Sequence, residues 1–330
     1  MSIKIVVIGS NSFSGSHFVD YALEMNAHVI GISRSLEPSY VFLPYKKNTN
    51  IKNFFFYQLD LNEDLEKIMD VIKDNRPDYV INFAAQSMVA ESWLFPEHWF
   101  QTNVVSNVKF HDKLRKCDFM KKYIHVSTPE VYGPCSGIIK ENTPFKPSTP
   151  YAVSRAACDL SLFSFYKHYN FPVVLTRSAN VFGPGQQVYR IIPKTILSIK
   201  TNTKLQLHGG GFSTRSFIHI RDVVAGTFKI ALQSEPGEVY HLSTDQFISI
   251  RLLVQLICKK LDVDFDKIVE IVSERPGKDA AYLLDSSKAF NTFGWRPEIK
   301  LEEGIDETIR WIDNNFSEIM KQPKEYIHKA

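Results

Sequence analysis

No run of apolar residues in this chain approaches the roughly 20 that a membrane-crossing helix requires, so no membrane partner is expected. Charge of one sign is also scarce. The 39 Lys and Arg face 36 Asp and Glu, a balance of +3, and the basic residues are dispersed, which argues against nucleic acid as a partner. Cysteine is sparse: Cys117, Cys135, Cys158 and Cys258 lie far apart and form no CxxC pair. They read as reduced thiols, with neither a disulfide nor a metal framework. Met1-Ser2-Ile3-Lys4 leads straight into apolar residues without the pattern of a signal peptide, so a cytoplasmic location is expected. Internal repeats and low-complexity tracts are missing as well.

What is present is alternation. Residues 3–8 are almost purely β-branched and apolar, which suits a parallel strand covered on both faces. Similar runs follow at 28–32, 54–59, 79–84, 123–127 and 173–177, with helical patterns between them, for example 62–74, 96–116 and 150–169. Strand and helix repeated in this way imply an α/β fold, a Rossmann-like doubly wound parallel sheet. At 330 residues the chain is long for one core, so a second unit is expected. After Pro184 short strands, the turn Gly209-Gly210-Gly211 and amphipathic helices at 251–261 and 301–314 suggest a smaller C-terminal α/β substrate-binding lobe. The expected division is 1–183 with 217–243 for the dinucleotide-binding domain, and 184–216 with 244–330 for the lobe.

The first strand runs into Gly9-Ser10-Asn11-Ser12-Phe13-Ser14-Gly15. A GxxGxxG loop at this place gives a tight turn, close packing of helix on strand, and a helix N-terminus facing a pyrophosphate. Gly9 and Gly15 are present, but Ser12 replaces the middle glycine. Asn11, Ser12, Phe13 and Ser14 complete the expected contacts. The second strand ends in Ser33-Arg34-Ser35 where an acidic residue would select NAD. A cation between two hydroxyls suits a ribose 2′-phosphate, so NADP is the expected cofactor and NAD the alternative. Asp60-Leu61 after the third strand is expected at the adenine edge, the other reading of Asp60 being a cap for a helix from Asn62. Ala84 and Ala85 follow the fourth strand, at the carboxyl end where such sheets bind ligands.

The strings Asn82-Phe83-Ala84-Ala85, Ser127-Thr128-Pro129-Glu130-Val131-Tyr132-Gly133 and Pro150-Tyr151-Ala152-Val153-Ser154 continue the pattern. So do Arg177-x-x-Asn180-Val181-Phe182-Gly183-Pro184, Arg215-Ser216-Phe217-Ile218-His219, Arg275-Pro276-Gly277-x-Asp279 and Gly294-Trp295-Arg296-Pro297. In this order, over nearly the whole chain, they resemble the extended short-chain dehydrogenase/reductases, most closely the nucleotide-sugar 4,6-dehydratases. The resemblance implies Tyr151 as a base at a sugar hydroxyl, Thr128 as its hydrogen-bonding neighbour, and Glu130 as the carboxylate that removes the C5 proton once C4 is a ketone. A tyrosine with a pKa near 10 needs a cation to act near neutrality. The family places a lysine four residues on; this chain has Arg155, which supplies charge and a hold on the cofactor ribose but gives up no proton. Pro129 stands where the dTDP-glucose type has an acid, leaving Glu130, Thr128 or a water to protonate the departing hydroxyl.

The resemblance also implies a nucleotide-diphosphate sugar as substrate, with Gln86, Ser87, Asn180, Arg190, Arg215 and Arg275 as contacts. Arg215 is the best placed of the cations and Arg190 the least. Trp93 and Trp99 are assigned to the core in preference to an interface. A homodimer formed through two long helices is implied. A 4-epimerase, a UDP-glucuronate decarboxylase-like enzyme and a keto-sugar reductase are the alternatives, with a non-catalytic cofactor-binding scaffold behind them.

Overall fold

A computed structural model describes residues 2–135, 137–273 and 283–329 of the chain. Seven parallel strands form the central sheet: β1 (Lys4–Ile8), β2 (His28–Ser33), β3 (Phe54–Gln58), β4 (Tyr79–Asn82), β5 (Lys122–Val126), β6 (Val173–Ser178) and β7 (Val239–Leu242). Their order is β3-β2-β1-β4-β5-β6-β7. The order reverses between β1 and β4, and such a switch point opens a crevice beyond the carboxyl ends of the strands.

Ile5, Val6, Val7 and Ile8 of β1 are at most 2 % exposed, as expected of a strand covered by helices on both faces. On one face α1 (Phe13–Glu24) packs with α7 (Ile220–Gln233). On the other lie α2 (Leu65–Asn75), α4 (Asn107–Leu114) and α5 (Pro150–Tyr169), whose Ile68, Phe110 and Leu162 join Val6 and Tyr123 in one cluster. The helix expected from Asn62 begins instead at Leu65, because residues 60–64 form a hydrogen-bonded turn on the Asp60 carbonyl.

The segment expected as one helix over 96–116 is α3 (Pro96–Phe100), a π-helical turn (Gln101–Ser106) and then α4. Trp99 is fully buried, whereas Trp93 is 57 % exposed, so the core assignment fails for Trp93. It lies in a short 3₁₀ turn (Glu91–Trp93) of which only Ser92 is buried.

Beyond Pro184, α6 (Ile191–Lys200), α8 (Ile250–Lys260) and α9 (Leu301–Asn314) enclose their own core of Ile192, Ile196, Leu253, Ile257, Ile305 and Ile312. A parallel pair, Leu205–His208 with Val269–Val272, flanks it. Residues 217–243 divide: Phe217–His219 pairs with Asn180–Phe182 in a separate two-stranded sheet, while β7 closes the edge of the main sheet. Among the described residues no helix is long and apolar enough to cross a membrane.

Candidate active site

The turn after β1 is built by contact distances. Gly9 has φ +81°, and a Cβ there would stand 2.7 Å from the Ala84 amide nitrogen, so only glycine lets β1 and the β4 loop approach this closely. A Cβ on Gly15 would stand 2.1 Å from the Gly9 carbonyl oxygen, so the packing of α1 on the turn fixes that glycine too. Ser12 caps α1: its hydroxyl donates to the Gly9 carbonyl at 2.7 Å and accepts from the Gly15 amide at 3.0 Å. The missing middle glycine is thus replaced by a helix cap. Asn11 ties the turn to the end of β2, its amide donating to Ser33 Oγ at 3.0 Å and its Nδ2 to the Ser35 carbonyl at 2.9 Å.

These turns surround a cavity of about 670 Å³. It is lined by Gly9, Asn11, Ser12 and Phe13 from the first loop, by Ser33, Arg34 and Ser35, by Asp60 and Leu61, and by Ala84, Ala85 and Gln86. Ser14 and Gly15 lie behind it, in the first turn of α1. Asp60 holds its own turn, Oδ1 accepting from the Asn62 amide at 2.8 Å. The residues fit a dinucleotide: a helix N-terminus carrying partial positive charge meets a close-approach glycine, and the buried Asn62 Oδ1 has no partner among the described residues. Bound there, such a cofactor supplies reversible hydride exchange.

At the end of β5 the chain turns into a 3₁₀ segment (Pro129–Tyr132) with Thr128 as its cap, Oγ1 accepting from the Glu130 amide at 3.4 Å. Thr149 caps α5 in the same way, accepting from the Ala152 amide at 3.1 Å, and Pro150 fills the first helical position. Tyr151 and Arg155 are then one helical turn apart. The Tyr151 phenol shares a hydrogen bond with Thr128, and the charges of Glu130, Arg155 and Arg190 all act on it. Burial, then Glu130, pushes its pKa up to about 12; Arg155 opposes this and is outweighed. Arg155 is 2 % exposed. Its Nη2 donates to the Val126 carbonyl and lies 3.2 Å from His125 Nε2, while Nε and Nη1 have no partner among the described residues.

Behind these groups lies a buried ion pair. Arg177 Nη2 donates to Asp159 Oδ2 at 2.8 Å, both side chains being fully buried, and Arg177 Nη1 donates to the Tyr132 hydroxyl. Ser127 Oγ donates to the same Asp159 oxygen at 2.7 Å, so the pair fixes the strand end from which Thr128 and Glu130 project. Removing one member leaves an uncompensated buried charge. Asp159→Ala is expected to lower unfolding stability by about 3 to 5 kcal/mol, read from urea titration. An unchanged midpoint would refute this role for the pair. Sequence reading did not single out Asp159 or His125. His111, His125 and Cys158 offer ligand atoms within 4.8 Å of one another, but the Arg155 guanidinium beside His125 opposes a cation there.

Among the substrate candidates, Gln86 is buried, its Nε2 donating to the Lys329 carbonyl at 2.6 Å. Ser87 is exposed on the loop after β4. Asn180 donates to the Ser216 carbonyl at 3.2 Å. Arg215 is half-buried on the pair Thr214–Arg215 with Ile248–Ser249, its Nη1 donating to the Thr214 carbonyl at 2.8 Å. Arg190, the least favoured from sequence, occupies the N-cap position of α6 without a capping hydrogen bond from its side chain, and its charge acts on Tyr151. Arg275 and its motif lie outside the described residues. Asn103 was not anticipated. It accepts from the Gln86 amide at 2.8 Å and donates to the Gln86 carbonyl and to Ser154 Oγ, each at 3.0 Å, joining the cofactor loop to the Tyr151 helix. The run Gln101-Thr102-Asn103, three uncharged polar residues in succession within an amphipathic helical pattern, was the available signal.

Residues 6–308 match the family described as GDP-mannose 4,6 dehydratase. The chain is 32% identical over 321 residues to the human dTDP-D-glucose 4,6-dehydratase, covering 95% of this chain and 91% of that one. The DesIV dTDP-glucose 4,6-dehydratase of Streptomyces venezuelae, solved with NAD and TYD bound, superposes with a TM-score of 0.86 at 27% identity, over 96% of this chain and 98% of that one. The UDP-glucose 4-epimerase of Thermotoga maritima superposes with a TM-score of 0.86 at 26% identity, over 95% of this chain and all (100%) of that one. With the glycine turn, the Thr128–Glu130 segment and the Tyr151 helix assembled on one parallel sheet, the chain belongs to the GDP-mannose 4,6 dehydratase family of extended short-chain dehydrogenase/reductases.

Proposed function

We propose that the protein is a nucleotide-diphosphate-sugar 4,6-dehydratase that converts a hexose nucleotide to its 4-keto-6-deoxy product and water. The observation that carries this reading is the convergence of Thr128 and Glu130 on Tyr151, with the dinucleotide cavity at the carboxyl ends of the neighbouring strands β1 to β4 of the same sheet. Tyr151 takes the proton of the C4 hydroxyl, which Thr128 holds in line. Glu130 takes the C5 proton, made acidic by the neighbouring C4 carbonyl. The proton that leaves with the C6 hydroxyl comes from Glu130 or through Thr128, since Pro129 has none to give. Arg155 contributes fixed positive charge next to Tyr151. Arg190 and Arg215 are assigned to the diphosphate. NADP is the proposed cofactor, because a cation and two hydroxyls stand at the end of β2.

Incubation with a panel of sugar nucleotides in deuterated water tests this, with products read by mass spectrometry. The expected product has lost one water and gained deuterium at C5. Loss of carbon dioxide would move the assignment to a decarboxylase, and an isomer of unchanged mass to an epimerase.

We infer also that two copies pair through α5 and the 96–114 segment. Val153 and Leu160, seven residues apart on one face of α5, are exposed, as are Phe100 and Val105. Leu160→Glu is expected to convert a dimer to a monomer in light scattering; a wild-type monomer, or an unaffected dimer, would overturn this pairing.

A further inference from the structure

The segment 322–329 lies across the mouth of the cofactor cavity, with Gln322, Pro323, Tyr326, Ile327 and Lys329 among its lining. It crosses from the lobe to the sheet on a series of side-chain anchors. Glu325 pairs with Lys194 of α6 at 3.1 Å, and the Tyr326 ring packs edge-on to Tyr189 at 5.7 Å. The His328 ring stacks on Phe95 and Trp99, at 5.1 Å from each, and its Nε2 lies 2.8 Å from His98 Nδ1. The Lys329 carbonyl accepts from Gln86 Nε2 at 2.6 Å and from Arg34 Nη2 at 3.3 Å. The strap therefore reaches the end of β2 in a fixed position, although Pro323, Ile327 and Lys329 remain exposed. A thinly packed segment of this kind opens at small cost, which permits a ligand to enter beneath it.

The Lys329 ammonium is delivered to a particular place. Nζ lies 3.1 Å from Ser35 Oγ, beside Arg34 and one residue beyond it in the loop that follows β2. Two cations from distant parts of the chain and the Ser35 hydroxyl thus meet at the end of β2, where an adenosine ribose would stand, while the Ser33 hydroxyl is held by the Asn11 amide. Three described carboxylates on this side of the cavity have other partners. Glu37 accepts from the Tyr45 hydroxyl at 2.8 Å and pairs with Lys46 at 2.7 Å, Glu325 pairs with Lys194, and Asp60 holds the Asn62 amide. The chemistry is that of a phosphomonoester site, which carries close to two negative charges at neutral pH.

We propose that Lys329 is a specificity-determining residue that, with Arg34, grips the 2′-phosphate of the bound dinucleotide, so that the strap closes over NADP and not over NAD. The proposal rests on the NADP reading above and extends it by a second cation from a distant part of the chain. Lys329 is exposed and makes no core contact, so its substitution leaves the fold intact.

The test is titration of the purified full chain with NADP and with NAD, for the wild type, Lys329→Ala, Lys329→Arg and Arg34→Ala. The wild type is expected to prefer NADP. Lys329→Ala is expected to weaken NADP about tenfold with NAD affinity unchanged, Lys329→Arg to restore NADP binding, and added salt to erode the difference. A wild-type preference for NADP that Lys329→Ala leaves unaltered would overturn the role of Lys329 while keeping the NADP reading. Equal binding of the two dinucleotides by the wild type would overturn both. Tighter binding of both by Lys329→Ala would make the strap a competitor for the cavity and overturn the proposal.

Discussion

Tyr151→Phe is expected to bind dinucleotide and sugar nucleotide normally and to turn over about 10²- to 10⁴-fold more slowly, the span that removal of a positioned acid–base group produces. Phenylalanine fills the same volume, and Tyr151 is only 8 % exposed, so the cap of α5 and its packing survive. Only the hydroxyl shared with Thr128 is lost. The comparison that matters is kcat against KM. A fall in kcat at constant KM is the mark of a group needed in the transition state alone. Wild-type kcat in the Phe variant would remove Tyr151 from the mechanism.

Glu130→Gln is expected to stop dehydration, by about 10²-fold or more, and with it the incorporation of deuterium at C5. The amide is nearly isosteric and accepts no proton. A second effect has a definite sign. The Glu130 carboxylate holds the Tyr151 pKa up, so its removal lowers that pKa. Oxidation at C4 requires the phenolate, and its rate rises with pH until the phenol is ionised. In Glu130→Gln that rising limb should therefore shift toward lower pH. Dehydration at the wild-type rate would refute the role of Glu130, and a limb shifted toward higher pH would refute its placement beside Tyr151.

Much of this site was legible in the sequence because its parts are local. A β-branched run meeting Gly9, and Pro150-Tyr151 opening a helix, each carry their physical cause within a few residues. Six of the seven sheet strands appeared as apolar runs for the same reason. The remaining parts depend on side-chain geometry or on partners far along the chain. Ser12 read as a defect in a glycine motif and is a cap, because its partners, Gly9 and Gly15, are a matter of geometry. Asp159 and Arg177 meet only after α5 has folded back on β6. Lys329 and Ser35 are 294 residues apart, and no periodicity connects them. Arg155 was legible as a cation but not as one held by Val126 and His125, since that depends on the register of α5 against β5.

The π-helical turn at Gln101–Ser106 bears on how this chain tolerates change in length. A π turn holds one residue more than the α-helix around it. Deleting a residue there would restore a regular helix and leave α3 and α4 close to their present phase. Asn103 sits inside the turn, so the cost of shortening falls on its bonds to Gln86 and Ser154. The extra residue is thus kept by one side chain and not by the packing of the helices on either side. Descendants of this chain could shorten the segment only by giving up that link between the cofactor loop and the Tyr151 helix.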